Sequence, residues 1–219
     1  MQSSQRATHD WPTSSVVVLP VAFSGDDATL VAAVREGRPG ARAEFFNRYA
    51  GDVERLLTHI LGFDRELSDI LQETYTRAFA SLDSLKDPTA LKRWLLGVAS
   101  RTAQKVLRTR ARRAWLRYFT DDADESRHEP VTMGVDVQSV RAVRAVYAIL
   151  EGLTVDQRVA FTLRFVDGMD VGEVAEALGV SLSTAKRRLR RAQTRFVARA
   201  QREPMLSDWL ARGRQWQTL

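Results

Sequence analysis

Apolar residues recur along this chain at helical spacing, and no stretch commits to a strand. Asp26 or Asp27 can cap a first helix carrying Leu30, Val31, Ala33 and Val34, which Gly37-Arg38-Pro39-Gly40 breaks. A second helix places Phe45, Phe46, Tyr49, Val53, Leu56, Leu57 and Ile60 on its buried side and ends at Gly62. A third runs from about Arg65 to Leu82 on a stripe of Leu67, Leu71, Tyr75, Ala78 and Leu82. Asp87-Pro88 starts a fourth, the acid capping and the proline sitting where a missing N–H costs nothing. That helix turns Leu91, Trp94, Leu95 and Val98 inward and continues as far as Arg117. Later, Val140, Val143, Val146, Tyr147 and Leu150 define one helix, and Val159, Leu163 and Val166 a second, closed by Asp167-Gly168.

From Asp170 onward the pattern is two helices joined by a tight turn. Val171, Val174, Ala175 and Leu178 form one apolar stripe, and Gly179 supplies the left-handed residue that ends the helix. Ser181 can cap the next helix by accepting from the N–H of Ser183 or Thr184. In that helix Ala185, Leu189, Ala192 and Phe196 share one face. Rotating about 100° per residue puts Ser183, Arg187, Arg190 and Thr194 opposite, flanked by Lys186 and Arg191. No acid occurs from Ser181 to Arg202. An apolar back, a short partner helix and a basic front fit a major groove, where arginine takes guanine edges and outer cations neutralise phosphates. The plainer interpretation is a solvated basic helix; the turn chemistry ahead of it favours the groove.

Two further faces carry charge. On the third helix Glu66, Asp69, Glu73 and Thr76 lie opposite the apolar stripe with Gln72 on the flank; the face reads equally as ordinary solvation or as a docking surface. In the fourth, Lys105, Arg108, Arg110, Arg112, Arg113 and Arg117 are interleaved with Trp115 and followed by Tyr118 and Phe119, and no acid lies between Lys92 and Tyr118. Cations among aromatic rings suit a strand whose bases are unstacked. Trp94 reads better as core.

Composition narrows the class. The 219 residues carry a net charge of +6, with 27% charged and 44% apolar residues, as in a globular protein with a polyanionic partner. Cysteine is absent and only three histidines occur, far apart, which removes thiolate chemistry and makes a metal or catalytic cluster unexpected. No cofactor or small-molecule substrate is implied. No apolar run approaches the ~18 residues of a membrane span, so no membrane insertion is expected, and a cytoplasmic location follows by default. Residues 1–25 read as a flexible extension, with Val16–Val21 its one apolar patch. Between residues 120 and 138 Asp121, Asp122, Asp124, Glu125 and Glu129 cluster with Pro130 and Gly134, which marks a flexible acidic linker. The fold class is therefore all-α: a helical domain over 26–119, the linker over 120–138, a helix-turn-helix domain over 139–202, and a tail over 203–219 expected to pack back through Leu206, Trp209 and Leu210.

Taken in order, these residues resemble the sigma-70 family, specifically the small two-domain extracytoplasmic-function (ECF) sigma factors. The resemblance rests on Asp69-Ile-Leu-Gln72-Glu73-Thr-Tyr75-Thr-Arg-Ala78-Phe79, on Leu91-Lys-Arg-Trp94-Leu95-Leu-Gly-Val-Ala99, and on Leu153-Thr-Val-Asp-Gln-Arg158 ahead of Glu173-Val-Ala175 and Gly179-Val180-Ser181. Each motif alone is weak; their order and separation are specific. The resemblance implies that Asp69, Gln72, Glu73 and Thr76 bind the clamp helices of the largest subunit of core RNA polymerase. It implies that Lys92, Arg93, Trp94, Arg101, Lys105, Arg108 and Arg112 take the downstream (−10) promoter element. Ser183, Thr184, Lys186, Arg187, Arg190 and Arg191 would then read the upstream (−35) element. The linker would pass near the polymerase active site and RNA-exit path, an anti-sigma factor would be a further class of partner, and the bound factor would sit on the nucleoid. The chain departs from the family pattern at Arg101, where asparagine is common, at Gly37-Arg38-Pro39-Gly40, where Gly-Asp is usual, and at Ala185, where valine is usual.

Two rivals stand beside this. An autonomous helix-turn-helix regulator would use the first domain as a sensor or dimeriser, and the acidic face and basic-aromatic run are not expected of one. A nucleic-acid enzyme would need rigidly spaced carboxylates for Mg²⁺, and the densest acidic cluster lies in the linker.

Overall fold

The computed structural model describes residues 25–62, 64–118, 137–204 and 206. The N-terminal extension, the acidic linker, and Trp209 and Leu210 of the tail lie outside them. Eight α-helices and no strand occur among the described residues: α1 Asp27–Arg35, α2 Ala41–Leu61, α3 Leu67–Ser81, α4 Leu91–Tyr118, α5 Val137–Glu151, α6 Val155–Phe161, α7 Val171–Leu178 and α8 Leu182–Ala200.

Local signals set most of the ends. Asp26 caps α1 by accepting from the Thr29 N–H at 2.9 Å. Gly40 and Gly62 take positive φ at the two ends of α2, conformations that cost other residues more. Asp87 accepts from the Thr89 N–H, and Pro88–Ala90 form one 3₁₀ turn leading into α4. At α6 the Thr154 hydroxyl and the Gln157 side chain reciprocate as a capping box. The periodic stretch to Val166 is not one regular helix: after Phe161 the chain widens into a single π turn, Thr162–Val166, before Gly168 turns it at φ +73°.

The first lobe packs α1, α2 and α3 around the N-terminal half of α4, with Phe45, Leu57, Leu91 and Leu95 fully buried. The second packs α5, α6 and α8 around Phe161, Phe196, Leu150 and Leu206, so the start of the tail does fold back. The two lobes also touch: residues of α6 and α7 share one apolar cluster with α2 and α4.

Five residues assigned to inward faces move. Phe46 is 38% exposed, lying against the Tyr75 ring with centroids 4.7 Å apart. On α3 the buried residues are Ile70, Thr74, Tyr75 and Ala78, so Leu67 and Leu71 flank the seam instead of centring it. Thr74 is tolerated there because its hydroxyl donates to the Ile70 carbonyl at 2.8 Å. Val143 and Val166 face out, and Ile149 takes the inward place on α5.

Candidate nucleic-acid and polymerase interfaces

The helix-turn-helix is built by three residues with separate tasks. Asp170 caps α7, accepting from the Glu173 N–H at 2.8 Å while Glu173 accepts in return from the Asp170 N–H at 2.9 Å. Gly179 sits at φ +64°, ψ +38° and reverses the chain. Ser181 then caps α8, accepting from the Thr184 N–H at 3.3 Å. Ala185, Leu189, Ala192 and Phe196 are buried, which rotates the opposite face of α8 outward.

On that outward face Ser183, Lys186, Arg187, Arg190 and Arg191 are all exposed. The four cations have no carboxylate within ion-pair distance among the described residues. Thr184 differs: its hydroxyl accepts from Ser181 at 2.9 Å and belongs to the cap. Arg188 turns sideways to the Asp156 carboxylate at 2.9 Å.

On α3, Asp69, Gln72, Glu73 and Thr76 are exposed together. Glu73 pairs with Arg77 at 2.7 Å, and the Thr76 hydroxyl donates to the Gln72 carbonyl at 3.0 Å. Neither contact turns a side chain away from solvent.

The α4 residues do not form one free surface. Lys92 pairs with Asp52 of α2 at 2.7 Å, and the hydrogen bond from its ammonium holds the Asp52 carboxyl below the usual carboxylate range. Trp94 is half-buried with its indole N–H near the Ser84 hydroxyl at 3.3 Å. Arg93 reaches Glu176 at 3.5 Å, Arg101 donates to the Ala177 carbonyl at 2.9 Å, and Arg108 donates to Asp156 at 2.5 Å. Arg110 fastens the loop before α3 through Asp64 and, at 2.6 Å, Glu66. Lys105 and Arg112 have no acidic partner among the described residues and line, with Arg101, Arg108 and Arg188, an open cleft of about 650 Å³ between the lobes. The side chains of Trp115, Arg117, Tyr118 and Phe119, expected to join the cations, lie outside the described set.

Sequence reasoning missed the residues that join the lobes. The buried Arg158 guanidinium donates to the Ile60 carbonyl at 2.8 Å, and burial pushes its pKa down. The Tyr147 hydroxyl donates to the Thr58 carbonyl at 3.0 Å. His59 meets Asp167 at 3.0 Å, and burial raises the Asp167 carboxyl. One signal was available: Arg158 stands beside Val159, Ala160 and Phe161, a cation at the edge of an apolar run with no acid at helical spacing to pair it.

Among the described residues no group of His, Cys, Asp or Glu is arranged to hold a metal, and no helix is long and apolar enough to cross a membrane. The described residues thus form a helix-turn-helix lobe with a basic outer face and a second helical lobe with an exposed acidic face and a basic long helix.

Comparison with known proteins gives the class. The profile of Sigma-70 region 2 matches residues 45–120 and that of Sigma-70, region 4 matches residues 143–195, together more than half of the chain. The ECF RNA polymerase sigma factor SigX of Bacillus subtilis is 29% identical over 147 residues, covering 64% of this chain and 74% of SigX. The ECF RNA polymerase sigma-E factor of Haemophilus influenzae is 27% identical over 173 residues, covering 76% of this chain and 91% of its own. Two solved structures share the fold. CnrH in complex with the cytosolic domain of CnrY has a TM-score of 0.55 at 19% identity, covering 81% of this chain and 98% of that one. The sigma factor RpoE in complex with the anti-sigma factor NepR from Bartonella quintana also has a TM-score of 0.55, at 21% identity, covering 74% and 97%. The chain belongs to the sigma-70 family and is an ECF-type RNA polymerase sigma factor. The autonomous regulator is disfavoured, because its supposed sensor domain is sigma region 2.

Proposed function

We propose that this chain brings core RNA polymerase to promoters through three separate surfaces. The α3 face of Asp69, Gln72, Glu73 and Thr76 docks on the clamp helices of the largest subunit. Lys92, Arg93, Trp94, Arg101, Lys105, Arg108 and Arg112 along α4 take the downstream element and help to separate its strands. Ser183, Lys186, Arg187, Arg190 and Arg191 of α8 read the upstream element, with Thr184 holding the helix start. The first module spans 26–119 and the second 139–202, and residues 120–138 thread the polymerase between them. The chain works in the cytoplasm, on the nucleoid once docked, and an anti-sigma factor is its further partner.

The physics of the division is additive. One basic helix alone binds DNA weakly and with strong salt dependence. Two modules on one tether gain from effective concentration once the first is bound. Unstacking the downstream bases costs a few kcal/mol per step and is offset by contacts to the separated strand. The observation that carries the reading is α8: Ala185, Leu189, Ala192 and Phe196 are buried while Lys186, Arg187, Arg190 and Arg191 on the opposite face are exposed and have no acidic partner among the described residues. The test is run-off transcription with core polymerase on a promoter library. Enrichment of templates sharing two spaced elements is expected; initiation no different from core alone would refute the reading.

A further inference from the structure

The cleft between the lobes carries cations on both walls and is lined by no carboxylate among the described residues. Its volume, about 650 Å³, is that of a small-molecule site, which runs to about 300–1,000 Å³. One wall is a single face of α4, where Arg101, Gln104, Lys105, Arg108, Thr109 and Arg112 recur at helical steps. The other is Arg188 of α8, with Leu178 and Val180 on either side of Gly179 as an apolar lip. We propose that this cleft binds a small polyphosphate, a chain of two or more linked phosphates.

Gln104 distinguishes this cleft from a merely basic surface. It is 6% exposed, yet its Nε2 has no hydrogen-bond partner among the described residues. A buried N–H left unpaired has given up its hydration with nothing in return, so an acceptor brought to it is favoured. The amide nitrogen only donates, which suits an oxyanion. Thr109 adds a hydroxyl on the same face.

The cations set the charge and length of the ligand. Lys105 and Arg112 have no acidic partner among the described residues, and seven residues of helix separate them by about 10 Å along the axis. Arg108 and Arg188 already meet on one oxyanion, the two oxygens of Asp156 taking them from opposite walls at 2.5 and 2.9 Å. Arginine forks grip phosphate oxygens in pairs, and lysine adds a point charge. One phosphate meets only one end of this row, whereas linked phosphates meet Lys105, Arg108 and Arg112 in turn. No aromatic side chain lines the cleft among the described residues, so a nucleobase gains no stacking there and the phosphates are what it recognises.

DNA offers phosphates to the same Lys105 and Arg112, and Gln104 tells the two sources apart. A polynucleotide crossing α4 meets the exposed cations, while Gln104 lies below them. The site is independent of promoter recognition, and its measurement needs no polymerase.

Isothermal titration calorimetry of the full chain with inorganic triphosphate, in magnesium-free buffer of about 0.1 M salt, tests this. One triphosphate should bind per chain, at least about ten-fold more tightly than orthophosphate. Lys105→Ala with Arg112→Ala should weaken it by about ten-fold or more. Arg141→Ala with Arg144→Ala, which removes as much charge from exposed positions of α5, should weaken it by less than about two-fold. Gln104→Leu keeps most of the volume without the donor, so the unliganded thermal midpoint should hold or rise. That variant should nonetheless bind triphosphate about three-fold or more weakly and a short single-stranded DNA as before. No binding at about 1 mM triphosphate, or orthophosphate bound as tightly, overturns the proposal. So do equal losses in the two charge pairs, an unchanged triphosphate affinity in Gln104→Leu, or a parallel loss of triphosphate and single strand in that variant.

Discussion

Replacing Phe196 by alanine should unfold the helix-turn-helix lobe and silence upstream recognition. The ring is 1% exposed and stacks on Phe161 with centroids 4.5 Å apart and planes at 26°. Ile149, Leu150, Ala192, Ala200 and Leu206 complete its surroundings. Removing a fully buried phenylalanine costs about 3–5 kcal/mol, the ring pair accounting for about 0.5–1.5 of it. Phe196→Leu keeps most of the volume and should cost less than about 1.5 kcal/mol. With a urea slope of about 2 kcal/mol per molar, the midpoint of the second lobe falls by about 2 M for alanine and by under about 1 M for leucine. Urea titration followed by circular dichroism reads both shifts. A pull-down on core polymerase should still recover Phe196→Ala through the α3 face while binding to upstream-element DNA is lost. Equal midpoints for the two variants, or undiminished upstream binding by Phe196→Ala, would refute the account of α8 as a helix aimed by its apolar back.

Three further outcomes are expected. Asp69→Arg with Glu73→Arg should abolish recovery of core polymerase without changing the thermal midpoint, since both residues are exposed; recovery at the wild-type level would clear this face of the assigned role. Arg187→Ala should cost about 1–3 kcal/mol of upstream binding and relax preference at one base, measured across single-base variants of the site; an unchanged profile would remove Arg187 from the reading set. The Asp52 carboxyl, held below its ordinary 3.8 by the Lys92 hydrogen bond, stabilises the fold while ionised. The advantage of wild type over Asp52→Asn should be full near pH 6 and fade as pH falls from about 4 through the lowered value, and acid titrations of the two proteins measure it.

Much of this architecture is written in local chemistry. Asp26, Asp87 and Ser181 cap as the sequence reading expects, because a cap needs only its own next three residues, and the structure adds Thr154 and Asp170, which that reading did not single out. The outward face of α8 was legible for the same reason: four apolar residues at helical steps leave one direction for the cations. The inward face of α3 was less so, since Leu67 and Ile70 are equally apolar and only the neighbouring helices choose between them. The basic run of α4 was misleading in part. Charge alone does not tell that Arg110 anchors a loop, Lys92 pairs with Asp52, and Arg101 reaches a carbonyl 76 residues away. Contacts between lobes depend on tertiary placement, and Arg158 carries only a faint mark of its burial in the sequence.

The π turn at Thr162–Val166 has a bearing on what this fold tolerates. Its widened loop closes through the Asp167 N–H to the Thr162 carbonyl at 3.0 Å, one residue more than a regular turn holds. That surplus residue sets the azimuth at which the chain leaves toward Met169 and α7. Deleting it would yield a smoother, locally more favourable helix, yet would swing everything downstream by about 100°. His59 would lose its partner, and the groove-reading rod would point elsewhere. Length is guarded here more strictly than composition: a conservative swap is absorbed, while a single-codon loss misaligns α7 and α8 together.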